Sequence, residues 1–439
     1  MDTPFRIIVV GGGAGGLELV TKLGRTYKKR DDIEVMLVDQ NYAHIWKPLL
    51  HEVAAGTLNS NDDELSYLAQ AHWNHFEFRL GKLDALNRAS KTITIAASYD
   101  DKGDLYIPAR EVRYDILVIA VGSVTNDFSI EGVAEHCFFL DGRYQADDFH
   151  KFLVRSCYSA NTQTEPLREG QLHIAIAGAG ATGVELAAEL HHSMHTLVDF
   201  GLQNIQLDKD LRIHLIEGSD RILPGLTEKI SNATQEALAS IGVKIHVNEF
   251  VSKADELGFH TKSGKFIPAE IKVWAAGIKG PDVLANLDGL EVNRINQLIV
   301  NEFLQSTQDD SIFALGDCAA CPISDAEFAP PRAQAAHQQA STIAQSIAHI
   351  IKRDDPVKFS YQDFGSLINL STTSTVGSLM GNLFGRQSGS IAIEGWFARC
   401  AYLSLYKMHQ FAVQGLIRTC ALTLANWITR SSKPRLKLH

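Results

Sequence analysis

Gly11-Gly12-Gly13-Ala14-Gly15-Gly16-Leu17-Glu18-Leu19 and Gly178-Ala179-Gly180-Ala181-Thr182-Gly183-Val184-Glu185-Leu186 are two versions of one pattern, and their surroundings repeat as well. Each follows a short apolar stretch, Ile7 to Val10 and Ile174 to Ala177, of the kind that forms a buried strand. Each opens apolar residues at helical spacing: Leu17, Val20 and Leu23 in the first, Val184, Leu186, Ala187 and Leu190 in the second. A second apolar strand then ends in an acid, Val35-Met36-Leu37-Val38-Asp39 and Ile213-His214-Leu215-Ile216-Glu217. The order strand, glycine turn, helix, strand, acid therefore occurs twice.

That order has a specific chemical use. The first glycine permits a tight turn, the second lets backbone approach a pyrophosphate, and the third lets helix and strand pack closely. The helix start offers unpaired N–H groups and a positive dipole end to phosphate, and the terminal carboxylate accepts from a ribose hydroxyl. A single GxGxxG is a weak signal, whereas two complete copies specify an α/β fold with two Rossmann-type dinucleotide-binding domains. Neither copy continues into Gly-Lys-Ser/Thr, which excludes a Walker phosphate loop. The second copy carries extra sequence, His191 to Asp210, whose His191 and His195 are spaced four apart. No third ligand stands at zinc-site spacing, so a helix extension is expected and no metal site.

Two further stretches pair up, Asp115-Ile116-Leu117-Val118-Ile119-Ala120-Val121-Gly122 and Lys272-Val273-Trp274-Ala275-Ala276-Gly277, each reading as a buried strand closing on glycine. A third, Ser311-Ile312-Phe313-Ala314-Leu315-Gly316-Asp317, ends in Gly-Asp. With 439 residues the chain has room for two or three domains. Its 45% apolar and 21% charged residues fit a soluble globular core, and a net charge of -10 argues against nucleic acid as partner. Six scattered cysteines form no disulfide framework, which suits a reducing cytosol. The CxxC at Cys318 and Cys321 has no second ligand pair or thioredoxin-like setting, and loop packing is its expected role. No apolar run reaches the ~18–20 residues that a membrane helix needs.

On these residues the chain resembles the bacterial type II NADH dehydrogenases, single-subunit NADH:quinone oxidoreductases, over essentially its whole length. The resemblance also rests on His44-Ile45-Trp46-Lys47-Pro48-Leu49-Leu50-His51-Glu52-Val53-Ala54, on Ala314-Leu315-Gly316-Asp317-Cys318, and on Pro331-Arg332-Ala333-Gln334-Ala335-Ala336-His337-Gln338. It implies hydride transfer from NADH to FAD, two-electron reduction of a membrane quinone (ubiquinone or menaquinone), and no proton pumping. It further implies FAD at Gly11, Gly13, Ala14, Gly15, Gly16, Asp39, Gln40, Lys47, Pro48, Ala120, Gly122, Asp317, Ala333 and Gln334. NADH falls at Gly178, Gly180, Ala181, Thr182, Gly183, Glu185, Glu217, Ala276 and Gly277. The Gly-Asp strand is expected to return to the first domain, giving FAD-binding segments 1–125 and 286–355, an NADH domain 126–285 and a C-terminal membrane-associating region 356–439.

For the acceptor side the resemblance implies Glu185, Gln334 and Gln338. Gln334 and Gln338 lie four apart on one helix face, where both amides would reach a quinone carbonyl, and Pro330-Pro331 suits the helix start. Ala333, Ala335 and Ala336 would let that helix approach a flat ring. Glu185, buried near such a ring, would have a raised pKa and carry a proton. Glu18 holds the same register in the first copy, so register alone does not make a catalyst. A carboxylate at Glu217 would repel a 2′-phosphate and favour NADH, with Arg221 close enough in sequence to weaken the preference.

From Trp396 to His439 the charged residues are Arg399, Lys407, Arg418, Arg430, Lys433, Arg435 and Lys437, with no acid. Basic and aromatic residues interleaved with short apolar runs fit a helix pair lying on an anionic membrane surface. The expected location is the cytoplasmic face of the inner membrane, peripherally, and a homodimer is compatible with this reading. A soluble NADH-dependent reductase of a small electron carrier shares both glycine motifs without needing the arm. A non-catalytic nucleotide sensor and a sulfide:quinone reductase are further alternatives, the latter lacking cysteines before Cys137.

Overall fold

The computed structural model describes residues 3–60, 64–100, 102–324, 327–371, 374–380, 390–394, 396–429 and 436–437. Its first sheet runs in the order Gln305–Ser306, Asp309–Ala314, Ile116–Ile119, Phe5–Val10, Ile33–Asp39, Glu77–Leu80. All neighbours are parallel except the edge pair Gln305–Ser306 with Asp309–Ala314. Parallel strands covered on both faces must be apolar throughout. Accordingly Ile7, Ile8 and Val9, like Leu117, Val118 and Ile119, have no exposed surface. The strand Asp309–Ala314 pairs in parallel with Ile116–Ile119, Leu117 opposite Ile312, so the Gly-Asp segment enters the same sheet as the first glycine motif.

A second sheet, Lys244–His246, Arg212–Ile216, His173–Ala177, Ile271–Trp274, is parallel throughout. The duplication extends beyond the motifs, since each unit also carries a three-stranded antiparallel piece. These are Leu83–Asn87, Thr92–Ile95 and Arg110–Arg113 in the first, Val251–Asp255, Gly258–Thr261 and Phe266–Pro268 in the second. The chain passes between the units twice, and the two passages pair as antiparallel strands, Val124 opposite Lys279 and Thr125 opposite Ile278.

The C-terminal part forms the antiparallel strands Gly365–Leu370, Ser374–Met380 and Ser390–Glu394, then the helices Trp396–Gln414 and Leu416–Thr429. It straddles both cores. Phe359 and Val413 belong to the first hydrophobic cluster, and Ile368, Leu370 and Leu436 to the second. Burying such side chains stabilises the fold by about 1.5–3 kcal/mol each, so the membrane-associating region expected from sequence is tied to both nucleotide-binding units.

Candidate functional site

The two glycine turns are the same object built twice. Gly11 and Gly178 adopt φ of +102° and +101°, where an L side chain is strained. A Cβ on Gly16 would lie 1.9 Å from the Gly11 carbonyl oxygen, and one on Gly183 2.0 Å from that of Gly178. Gly13 and Gly180, at the starts of the helices Ala14–Tyr27 and Ala181–Asp199, face open space, and neither helix start has a side-chain cap. Open backbone at an uncapped helix start is a phosphate cradle.

The acids brace these turns. Asp39 Oδ2 accepts from Gly12 N–H at 2.6 Å and Oδ1 from Asn41 N–H at 2.8 Å. Glu217 repeats this with Ala179 N–H and Ser219 N–H, both at 2.9 Å. Asn41 Nδ2 also donates to Asp39 Oδ1, at 3.1 Å, so Asp39 Oδ2 and the Glu217 oxygens are the ones that keep a further lone pair for a ribose hydroxyl. Gln40 is exposed beside Asp39, Ala181 and Thr182 are exposed on the first helical turn, and Ala276 and Gly277 lie half-buried and exposed beyond the strand Ile271–Trp274. Gly122 and Gly277 share φ +71° at the matching strand ends.

Between the units, Lys47 Nζ donates to Ser123 O at 2.8 Å, and Ser123 Oγ donates to Asp317 Oδ2 at 2.8 Å. Pro48 sits in the single turn Lys47–Leu49, and Ala120 backs the Gly11 turn. The helix Ala333–Lys352 starts after Arg332, so Pro330 and Pro331 precede the cap and do not occupy the first turn. Its buried Ala336 packs on the glycine-loop helix, where a Cβ on Gly15 would meet the Ala336 carbonyl at 2.8 Å. The small residues thus serve a close helix crossing.

Gln334 and Gln338 lie on one face as expected, but their amides bind the segment 362–365. Gln334 Nε2 donates to Asp363 Oδ1 and Gly365 O, both at 3.2 Å, and its Oε1 accepts from Phe364 N–H at 3.1 Å. Both of its N–H groups are therefore used. Gln338 Nε2 donates to Gln362 O at 2.8 Å and Oε1 accepts from Gln362 N–H at 2.9 Å, which leaves one N–H for a ligand. The segment they hold leads into the strand Gly365–Leu370, whose Asn369 N–H donates to Glu185 Oε1 at 2.9 Å.

Glu185 is buried where the helices Leu50–Ala55 and Ala181–Asp199 meet that strand. Burial raises its pKa to about 8 against the pull of the Asn369 N–H, and Glu52 and Glu189 push the same way. The carboxyl therefore holds a proton at neutral pH. His51 Nδ1 stands 3.8 Å from Glu185 Oε2, and burial lowers the His51 pKa to about 4. Sequence reasoning singled out Glu185 but passed over His51, Glu52 and Glu189. His51 and Glu52 stood inside the quoted His44–Ala54 stretch, and Glu189 lies one helical turn beyond Glu185.

Glu18, the counterpart of Glu185 in the first copy, has the opposite electrostatics. Burial pushes its carboxyl up, but hydrogen bonds from His337 and His409 outweigh this and hold it below the usual range. His409 Nε2 lies 3.0 Å from His44 Nε2, and His44 Nδ1–H donates to Gly12 O at 2.9 Å. Since His409 belongs to the helix Trp396–Gln414, this chain ties the arm to the glycine turn. Arg25 adds bonds to Ala412 O at 3.1 Å and Val413 O at 2.7 Å. The first arm helix therefore packs on the core, whereas the second exposes Leu416, Ile417, Leu424 and Ile428, with the Arg418 guanidinium 3.9 Å from the Trp73 ring centre. Arg430, Lys433 and Arg435 lie outside the described residues.

Cys318 and Cys321 are buried thiols, each pushed up to about 12 by burial, and they pack the loop after the Gly-Asp strand. His191 and His195 lie on the helix Ala181–Asp199 with Nε2 atoms 3.1 Å apart, and among the described residues no group of three or more metal-ligating side chains gathers. No helix among the described residues is long and apolar enough to cross a membrane.

Two dinucleotide-type glycine turns, each braced by a terminal acid, together with a buried acid whose pKa is raised, define a pyridine-nucleotide flavoprotein. The profile of the pyridine nucleotide-disulphide oxidoreductases matches residues 5–340, and the chain belongs to that flavin-dependent family. It is 42% identical over 445 residues to the type II NADH:quinone oxidoreductase of Haemophilus influenzae, covering 99% of each chain. To the enzyme of the same name from Staphylococcus aureus (strain NCTC 8325 / PS 47) it is 28% identical, covering 86% of this chain and 90% of that one. Its fold is similar to NDH2 from Plasmodium falciparum in complex with NADH, with a TM-score of 0.81 at 20% identity, covering 99% and 100% of the two chains. Within the wider family, the chain belongs to the type II NADH:quinone oxidoreductases.

Proposed function

We propose that this chain oxidises NADH and reduces a membrane quinone without pumping protons. In this reading FAD lies in the first cradle, formed by residues 1–125 and 286–355, NADH lies in the second, formed by 126–285, and residues 356–439 face the quinone and the membrane. The residues fit the flavin nucleotide: the helix start at Gly13 presents open backbone to a pyrophosphate, and the braced Asp39 keeps a lone pair on Oδ2 for the ribose. When bound, FAD accepts the hydride equivalent of NADH and passes two electrons to quinone.

The chain's own residues supply the rest. The Gly178–Gly183 turn and Glu217 hold NADH, and Glu217 disfavours a 2′-phosphate by charge. Gln338 offers its remaining N–H to a quinone carbonyl, and Gln334 positions the segment 362–365 beside it. Glu185 keeps a proton at neutral pH and delivers it to the quinol oxygen. Exposed Leu416, Ile417, Leu424 and Ile428, together with Arg418, seat the second arm helix peripherally on the anionic cytoplasmic face of the inner membrane.

The observation that carries this reading is the burial of Glu185 where the helices Leu50–Ala55 and Ala181–Asp199 meet the strand Gly365–Leu370, with the Asn369 N–H on its Oε1. Anaerobic double mixing of Glu185→Gln, first with NADH and then with menadione, tests it. Flavin reduction is expected to stay near the wild-type rate while reoxidation by quinone slows by about 10-fold or more. Equal rates in both steps would remove Glu185 from the acceptor chemistry.

A further inference from the structure

We propose that His44 and His409 make the first glycine turn depend on the docked arm, so that flavin retention and arm docking are coupled; this rests on the reading that FAD lies in the first cradle. The two glycine turns, otherwise alike, differ at one atom. In each, the terminal acid holds the N–H of the residue after the first glycine, Gly12 from Asp39 and Ala179 from Glu217. The carbonyls of those residues are held differently. Ala179 O accepts from the Leu223 N–H at 2.8 Å, backbone to backbone within the second unit. Gly12 O accepts from two side chains, His44 Nδ1–H at 2.9 Å and Tyr67 Oη–H at 2.8 Å.

That carbonyl bears on the cradle through its own peptide plane. A trans peptide points its N–H opposite to its C=O. Fixing Gly12 O therefore fixes the direction of the Gly13 N–H, one of the uncapped donors that the start of the helix Ala14–Tyr27 offers to phosphate.

The hydrogens along the series follow from its ends. A carbonyl only accepts, so the His44 hydrogen is on Nδ1. Burial lowers the His44 pKa to about 3, so the ring is neutral and Nε2 carries a lone pair. His409 Nε2, 3.0 Å away, is then the donor. At the other end Glu18 is held ionised, so His409 Nδ1 donates to Glu18 Oε1 at 2.7 Å, beside the bond from His337 to Oε2. His409 thus serves two acceptors at once, one on each ring nitrogen.

The series joins three segments: Glu18 on the glycine-loop helix, His44 shortly after Asp39, and His409 on the arm helix Trp396–Gln414. All three side chains are buried. Withdrawing the arm would leave His44 Nε2 and Glu18 Oε1 without the donor the arm supplies, a costly state for buried groups, and would release the His44 ring from its fixed orientation toward Gly12 O. Packing favours the docked position, since the His409 and Trp46 ring centres lie 4.2 Å apart and Arg25, on the glycine-loop helix, donates to Ala412 O and Val413 O. Coupling is reciprocal, so a ligand that steadies the first turn also steadies the arm. The second turn, held through Leu223, serves as the internal control.

The test uses full-length, flavin-loaded protein with His44→Phe and His409→Phe, which remove the ring nitrogens and keep a ring. The comparison variant is Ile347→Ala, a truncation in the same hydrophobic cluster but outside the series. FAD release after dilution is followed by the rise in free-flavin fluorescence, and the second cradle is probed with NAD+ by calorimetry. The expected result is FAD release about 10-fold faster in both histidine variants and within about 2-fold of wild type in Ile347→Ala, with NAD+ affinity within about 2-fold throughout. Hydrogen exchange gives the reciprocal readout: removing FAD from the wild type should speed exchange at residues 403–414, and His44→Phe should lose that response. FAD release unchanged in the histidine variants, or accelerated equally in Ile347→Ala, would overturn the coupling and leave the FAD site standing. Should both histidine variants fail to fold, wild-type arm exchange that is indifferent to FAD removal would overturn it. A wild-type chain that neither holds nor takes up FAD would overturn the underlying reading and the coupling with it.

Discussion

Glu185→Gln has a consequence for stability as well as for rate. The Glu185 carboxyl has its pKa raised from 4.5 to about 8 by burial in the folded protein. Below pH 4.5 it is protonated in both the folded and the unfolded chain, and the shift has no effect. As pH rises, the unfolded chain ionises first while the folded one keeps its proton, so the folded state is progressively disfavoured. The loss amounts to about 3 kcal/mol by pH 7 and about 5 kcal/mol above pH 9. Glutamine keeps an acceptor for the Asn369 N–H but cannot ionise. Urea denaturation at pH 5, 7 and 9 should therefore show the variant gaining on the wild type by about 4 kcal/mol from the low end to the high end. A difference between the two proteins that stays constant within about 1 kcal/mol would refute the argument.

Gly16→Ala should lower the melting temperature and weaken FAD retention, because its Cβ meets the Gly11 carbonyl at 1.9 Å and overpacking costs about 1–3 kcal/mol. Gly180→Ala meets no protein atom within 4 Å, so melting should be unchanged while the KM for NADH rises about 10-fold. His409→Ala removes donors from buried Glu18 and His44, and should cost about 1–3 kcal/mol in urea denaturation with earlier proteolysis of the arm. Glu217→Ser should raise the ratio of kcat/KM for NADPH over NADH by about 10-fold; an unchanged ratio would show that charge at this position does not set the preference.

Both nucleotide-binding units were legible in the sequence because their glycines answer to local backbone geometry. The φ of Gly11 and Gly178 and the contacts of Gly16 and Gly183 follow from the turn itself. The partners of the candidate catalytic groups were not legible, because they come from distant segments. Nothing near Glu18 in sequence announces His337 or His409, and nothing near Glu185 announces Asn369. Gln334 and Gln338 were placed on one face by their spacing, but their engagement with residues 362–365 depends on where the chain returns after the helix. The uneven burial of the two arm helices escaped a composition-based reading for the same reason, since basic and apolar residues occur in both while, among the described residues, the first contributes Val413 to the core and the second exposes Leu416, Ile417, Leu424 and Ile428.

The most direct test of the two-cradle account is the visible spectrum of the purified chain during a single anaerobic cycle. The account predicts a yellow protein with one FAD per chain that is bleached by one equivalent of NADH and recovers its colour on addition of menadione. A colourless chain that fails to take up supplied FAD, or a flavin that NADH does not bleach, would contradict it.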